Sequence, residues 1–179
     1  MTVHLVKSRY AKSFAAVVEE SGSSVTYALD TVSLDKRVLE QPESLIAADQ
    51  LWRFAESAAR QSGRLDIGWD AGSAVALENY GDFGSSILAR KTLYQRMQAF
   101  CDLAKAEYTE ADFFVTATGD ALVFGRGRIV GTPLQVRQVE LYVLAMMIGL
   151  VRTSLGPNWQ PRLLRLQSFS GTDIENHFP

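Results

Sequence analysis

Apolar residues recur at three- and four-residue steps along Ala48, Leu51, Trp52, Ala55, Ala58 and Ala59, which puts them on one face of an amphipathic helix. Gly63 stands where a left-handed C-terminal cap is wanted, so the helix is expected to close there. A second apolar face, Leu93, Met97, Phe100, Cys101 and Ala104, follows Thr92, whose hydroxyl suits an N-cap. Thr132-Pro133 opens the longest segment, because proline fits the first helical position, and Gly156-Pro157 ends it after Leu155. From Leu141 to Val151 this segment is apolar almost all round, the pattern of a central core helix. Its Tyr142, Met146 and Ile148 are candidates for the core, or for a subunit interface if they form an exposed stripe.

Strand patterns are shorter. Phe113 to Ala117 and Ala121 to Phe124 flank Thr118-Gly119-Asp120 and predict a hairpin. Residues 163–169 alternate well enough to predict a last strand. Short helical pieces are expected at 24–30 and 33–40, with a turn at Gln41-Pro42-Glu43-Ser44. The glycine-rich stretch 65–86 lacks helical periodicity, so irregular structure is expected there, with a short strand at 74–79. Residues 1–20 are weakly patterned and are set apart from a domain over 21–179. Together these elements predict an α+β fold: a small, mostly antiparallel sheet packed with several helices, one of them long and central at 133–155.

Composition narrows the function classes. The 179 residues are 47% hydrophobic and 21% charged, enough for one domain with a sizeable core. A net charge of −2 gives no general pull towards nucleic acid, and only Arg152, Arg162 and Arg165 could seed a basic patch. The lone Cys101 excludes an internal disulfide and suits a reducing, cytoplasmic setting. No secretory leader pattern opens the chain, and the 11-residue apolar run falls short of the roughly 20 needed to span a bilayer.

Candidate chemistry is sparse. His4 and His177 lie near opposite ends, and no serine sits in a G-x-S-x-G elbow. Asp66, Asp70, Glu78 and Asp82 cluster, but no calcium-loop spacing, histidine or cysteine joins them, and no histidine stands in an apolar helical context that would suit haem. Gly125-Arg126-Gly127-Arg128-Ile129-Val130-Gly131 imitates a dinucleotide-binding turn, with the third glycine one place late and no acidic residue after the next strand. No catalytic residue, metal or cofactor is therefore expected, and the chain does not read as an enzyme. Aromatics are dense between positions 52 and 124. Trp52, Trp69, Tyr80 and Tyr94 are the candidate ligand contacts: two stand on or beside helix faces and two in the glycine-rich stretch.

Several segments, taken in order, resemble one family. Val38-Leu39-Glu40-Gln41-Pro42-Glu43-Ser44-Leu45-Ile46, then Leu51-Trp52-Arg53-Phe54 with Ala58-Ala59-Arg60 and Gly63, are similar to the start of the N-terminal "arabinose-binding" domain of AraC/XylS-type regulators. Asp66-Ile67-Gly68-Trp69 through Gly72, Phe83-Gly84 before Thr92-Leu93, and Leu155-Gly156-Pro157-Asn158-Trp159-Gln160-Pro161 resemble its later segments. Trp69 departs from a usual leucine, and Ser85-Ser86 from a glycine before an aromatic. The resemblance implies a bacterial, effector-sensing regulatory domain. It would bind a small molecule and relay that event to a C-terminal pair of helix-turn-helix motifs. The family label does not imply a sugar. No such motif pair precedes His177-Phe178-Pro179, so the chain is expected to be an effector domain cut from a longer regulator, unable to bind DNA alone. The alternative is a pairing module without a physiological ligand, forming a homodimer through the helix at 133–155.

Overall fold

The strongest periodicities become the largest helices of the computed structural model, which describes residues 3–168. Helix α3, Ala48–Ser62, buries Leu51, Phe54, Ala55, Ala58 and Ala59, and ends at Gly63 in the left-handed region at φ 66°. Helix α6, Leu93–Glu107, starts with a reciprocal capping box between Thr92 and Gln95. Helix α7, Pro133–Leu155, starts with the same device between Thr132 and Gln135 and stops at Gly156. Two orphan amide donors at each start are satisfied in this way, of four at α6 and of three at α7, where Pro133 has no N–H.

Around these lie α1 (Arg9–Glu20), α2 (Val25–Asp30), α4 (Ile67–Ser73) and α5 (Gly81–Leu88), with single 3₁₀ turns at Lys36–Leu39 and Leu77–Tyr80. Strands β1 (Leu5–Lys7) and β2 (Leu45–Ala47) pair antiparallel, with Val6 opposite Ile46. Strands β3 (Phe113–Thr118) and β4 (Ala121–Arg126) form the expected hairpin, with Phe113 opposite Arg126 and Val115 opposite Phe124. The fold is α+β, as its pattern predicts, and among the described residues the sheet is two separate antiparallel pairs.

Helix α7 is the axis. Its composition and length would let it cross a membrane, yet 72% of its most apolar window is buried by the rest of the chain. Its broadest contact is with α4, and the backbones touch there. A Cβ on Gly68 would lie 2.2 Å from the Gln138 carbonyl oxygen, and one on Gly72 would lie 2.5 Å from that of Tyr142. The buried Gln138 side chain locks the crossing: its Oε1 accepts from the Gly68 amide at 2.8 Å and its Nε2 donates to the Leu65 carbonyl at 3.0 Å.

Two expectations are corrected. Residues 65–86 are not irregular, and 74–79 holds no strand; α4, the Leu77–Tyr80 turn and α5 occupy the stretch. Gly68, Gly72 and Gly84 allow close contact, while Gly81 turns the chain at φ 58° between the Leu77–Tyr80 turn and α5, and helices of 7 and 8 residues are too short to show a period. Residues 163–168 form no strand, and position 169 lies outside the described residues. The weakly patterned start is also ordered: α1 buries Tyr10, Ala11, Phe14, Ala15, Val17 and Val18 in the same core as α3 and α7.

Candidate functional site

Two cavities lie on opposite sides of Met146, which lines both. The outer one is a groove of about 390 Å³ between α4, the Leu77–Tyr80 turn and the C-terminal half of α7. Trp69, Tyr80, Ile148, Gly149 and Arg152 are among its walls. Gly72, one of the two points where α4 meets the α7 backbone, is among its lining residues. Gly149 contributes to the opening, since a Cβ there would meet nothing within 4 Å. Arg152 is held at the rim by its Nε, which donates to the Trp159 carbonyl at 3.0 Å.

The inner cavity is small, about 50 Å³, and none of its lining residues is exposed. Rings make most of it: Tyr10, Phe14, Trp52, Tyr108, Phe113 and Tyr142. Tyr142 stacks on Phe14 at 5.4 Å and meets Tyr10 edge-on at 5.6 Å, while Trp52 meets Tyr108 edge-on at 6.0 Å. Two charged groups, Glu107 and Arg126, also line it.

A buried polar chain joins the two cavities. Tyr142 donates to Ser13 Oγ at 3.3 Å, so the 2.7 Å contact between the Tyr80 and Tyr142 hydroxyls has Tyr80 as donor. Tyr10 donates to Glu107 Oε2 at 3.1 Å. Arg9 reaches in from α1. Its Nη1 donates to the Tyr80 carbonyl and its Nη2 to Glu43, while its Nε lies 3.5 Å from Glu107 Oε2 without a hydrogen bond among the described residues. Burial raises the Glu107 carboxyl above its ordinary range, with Arg9 opposing. Burial pushes the Tyr142 phenol up to about 12 and raises those of Tyr10 and Tyr80 as well, so all three donate as neutral hydroxyls. Burial also lowers Arg126 from the ordinary guanidinium value.

The four candidate aromatics separate. Trp69 and Tyr80 meet at the groove and Trp52 lines the inner cavity, whereas Tyr94 is 44% exposed and lines neither. The hydroxyl of Tyr80 is turned inward to Tyr142, so the groove sees its ring and not its polar tip. Tyr142, Met146 and Ile148 are buried within the chain and do not form an exposed stripe.

The less promising clusters are engaged elsewhere. Asp66 and Asp70 both pair with Arg64. His4 faces Glu110 at 3.5 Å, and His177 lies outside the described residues. Cys101 is half-buried, and burial pushes its thiol up to about 11. Arg162 pairs with Asp120, away from Arg152.

The family described as "Arabinose-binding domain of AraC transcription regulator, N-term" matches residues 22–176. The chain belongs to this family. Comparison with curated proteins gives no significant match. The family is one of regulatory, ligand-sensing domains whose DNA binding lies in a separate domain. In this AraC-type domain both cavities use α7, which lies inside the matched stretch. Arg9 and Tyr10 come from α1, which precedes it.

Sequence reasoning missed the charged members Arg9, Glu107 and Arg126. Glu107 ends an amphipathic helix where a solvated carboxylate is ordinary. Arg126 sat inside the glycine-rich imitation of a nucleotide turn, and strand alternation with Phe124 was the one signal that could have turned it inward.

Proposed function

We propose that this is the effector-sensing domain of a cytoplasmic bacterial AraC-type regulator, and that a small organic effector binds in the groove between α4 and α7. The observation that carries this reading is the groove itself. At about 390 Å³ it has the size of a small-molecule site, with mainly apolar walls and a few polar groups. Its walls stand on α4 and α7, so an occupant would bias how the two helices cross. A ligand preferring one crossing over the other would shift the population of states that a DNA-binding domain reads. The domain itself carries a net charge of −2 and is expected not to bind DNA specifically.

A thermal-shift screen of small metabolites tests the site, since a ligand that binds only the folded state raises the melting temperature. We expect Trp69→Phe to weaken the hit at least several-fold, and Tyr80→Phe, whose lost hydroxyl faces Tyr142 and not the groove, to change it little. Unchanged binding in Trp69→Phe, with a structure showing the ligand outside the groove, sinks the assignment. Gly149, exposed within the apolar stretch Leu141 to Val151, favours a second reading in which this face of α7 pairs two copies of the domain. A concentration-dependent mass that disappears in Gly149→Arg would support that reading.

A further inference from the structure

We propose that the free edge of β4 pairs with β4 of a second copy of this chain, antiparallel about a two-fold axis at Val123, so that two hairpins join into one four-stranded sheet. The hairpin is regular, with six consecutive pairs from Phe113–Arg126 to Thr118–Ala121 and no bulge. Just beyond it the Gly127 amide donates to the Asp112 carbonyl at 2.7 Å. Hydrogen-bonded and non-bonded pairs alternate along an antiparallel ladder. The bonded pairs are therefore Phe114–Gly125, Thr116–Val123 and Thr118–Ala121, and the amides and carbonyls of Leu122, Phe124 and Arg126 point off the outer side of β4. Among the described residues no other segment bonds to those groups.

Proteins blunt such edges with charges, proline, bulges or a covering element. Residues 121–125 carry no charge, proline or bulge. Helix α6 backs the base of the hairpin, where Phe100 meets Phe113 edge-on at 5.0 Å and Phe124 at 5.4 Å. Further out, Thr116 and Val123 on one face and Ala117 and Leu122 on the other are all exposed, Leu122 by 48% and Val123 by 42%. The far half of the hairpin thus projects with both faces in solvent, although a two-stranded ribbon alone is marginal in water. Widening the sheet would supply what that half lacks.

The strand's own pattern names the occupant. A two-fold axis at Val123 sets Val123 opposite its own copy, Leu122 opposite Phe124 and Ala121 opposite Gly125, each pair on one face of the joined sheet. Leu122 and Phe124 then exchange backbone bonds through the groups that point outward, and their apolar side chains meet across the strands. Asp120 and Arg126, the charged residues of the hairpin, fall opposite each other, so no like charges meet. The same operation on β3, with its axis at Thr116, sets Asp112 against Asp120 and is disfavoured. A foreign peptide is chosen by pockets for alternate side chains, and neither cavity is lined by residues 114–125. A second β4 matches this edge in length and pattern, and a closed two-fold pair leaves no further edge of β4 to extend. The pairing is independent of the groove and of any ligand found there.

One strand edge is less than a standard interface, so the pairing is weak and is read against concentration. Sedimentation of the whole chain from roughly 1 to 500 µM, a range that covers weak association, should show the mass double. Val123→Lys sets two ammonium groups face to face at the axis and should keep the chain monomeric, with a melting temperature within about 2 °C of the original because the position is exposed. Val123→Thr should keep the dimer, and so should Gly149→Arg, which separates this edge from the α7 face. A cysteine reads the register. Facing residues in a non-hydrogen-bonded pair have Cα atoms about 4.5 Å apart, within disulfide reach. Oxidised glutathione should link Val123→Cys into a covalent dimer, and should not link Thr116→Cys, one strand further from the axis, or the unmodified chain with its Cys101. The concentration series on the unmodified protein stands even if a variant fails to fold. A monomer throughout, a Val123→Lys that dimerises like the original, or a mass lost in Gly149→Arg and kept in Val123→Lys each overturn the proposal. Equal linking of the two cysteine variants overturns the register.

Discussion

The two sides of α7 solve different problems with the same helix. On the inner side Tyr142 is buried among Phe14, Tyr10 and Tyr80, its hydroxyl is bonded, and the remaining space is about 50 Å³. On the outer side, past the Gly68 and Gly72 contacts, the helix faces a groove of about 390 Å³ and carries a glycine with nothing opposite it. Each side carries two charged residues, Glu107 and Arg126 inside and Glu78 and Arg152 outside, but the room is outside. Inside, fixed rings and charged groups leave little space. A groove between two helices lets an occupant act on the helices. The common wall is Met146 and the Tyr80–Tyr142 pair.

The largest effect should come from breaking that wall. Met146 is 8% exposed, and Met146→Asp would bury a carboxylate between two apolar chambers. An unpaired buried charge costs several kcal/mol or is neutralised. We expect loss of soluble, folded protein; a variant with unchanged melting temperature would show that the wall is not where it is drawn. Next is the clamp that separates the two sides. Gly68→Ala forces a methyl group against the Gln138 carbonyl, which is backbone and cannot swing away. We expect a loss of about 2–3 kcal/mol from overpacking, read by chemical denaturation. A loss below 0.5 kcal/mol, about the scatter of a surface change, would mean that α4 and α7 are not in backbone contact.

The inner side also predicts a pH dependence. The folded-state pKa of Glu107 is raised, mainly by burial. The folded protein therefore holds that proton more tightly than the unfolded chain does. The stabilisation is fully present below the unfolded value, about 4.3, and is lost as pH rises through the folded value. Glu107→Gln keeps the shape and removes the titration. The melting temperature of the unmodified protein minus that of Glu107→Gln should fall as pH rises from about 4 towards neutrality. A flat or rising difference contradicts the buried, raised carboxyl. Groove variants such as Trp69→Phe should leave this slope unchanged.

The sequence revealed these two sides unevenly, for physical reasons. Helices α3, α6 and α7 were legible because 15 to 23 residues repeat the helical period several times and because Thr92, Thr132-Pro133, Gly63 and Gly156 mark their ends. The hairpin at Gly119 was legible from its turn residues. Helices α4 and α5 were not, because a glycine that allows helix contact looks the same in sequence as one that loosens a loop. Helix α1 was missed although seven of its residues are buried. Aromatic type found the candidates Trp52, Trp69 and Tyr80 but could not sort them, and Tyr94 shows the limit: beside an apolar face it still points to solvent. The buried charges were invisible, because pairing across Arg9, Glu43 and Glu107 joins positions 34 to 98 residues apart.

The smallest effect bears most directly on the groove. Gly149 lies in the middle of α7, where glycine is less favourable than alanine by roughly 0.5–1 kcal/mol. At Gly68 and Gly72 that cost is offset by backbone contact. At Gly149 no such contact exists among the described residues, where a Cβ would meet nothing within 4 Å. Packing among the described residues therefore gives no reason for a glycine here, and an occupant of the groove does. Gly149→Ala should raise the melting temperature by roughly 1–4 °C in ligand-free protein, the opposite sign to Gly68→Ala. Gly149→Leu keeps the helix-forming gain, projects a side chain into the groove and should abolish the response to whatever effector the thermal screen finds. If Gly149→Ala is destabilising, position 149 is packed and the groove is closed in solution. If Gly149→Leu retains full effector binding, the effector sits elsewhere, and the contrast between a roomy, ligand-taking outer side and a filled inner side fails.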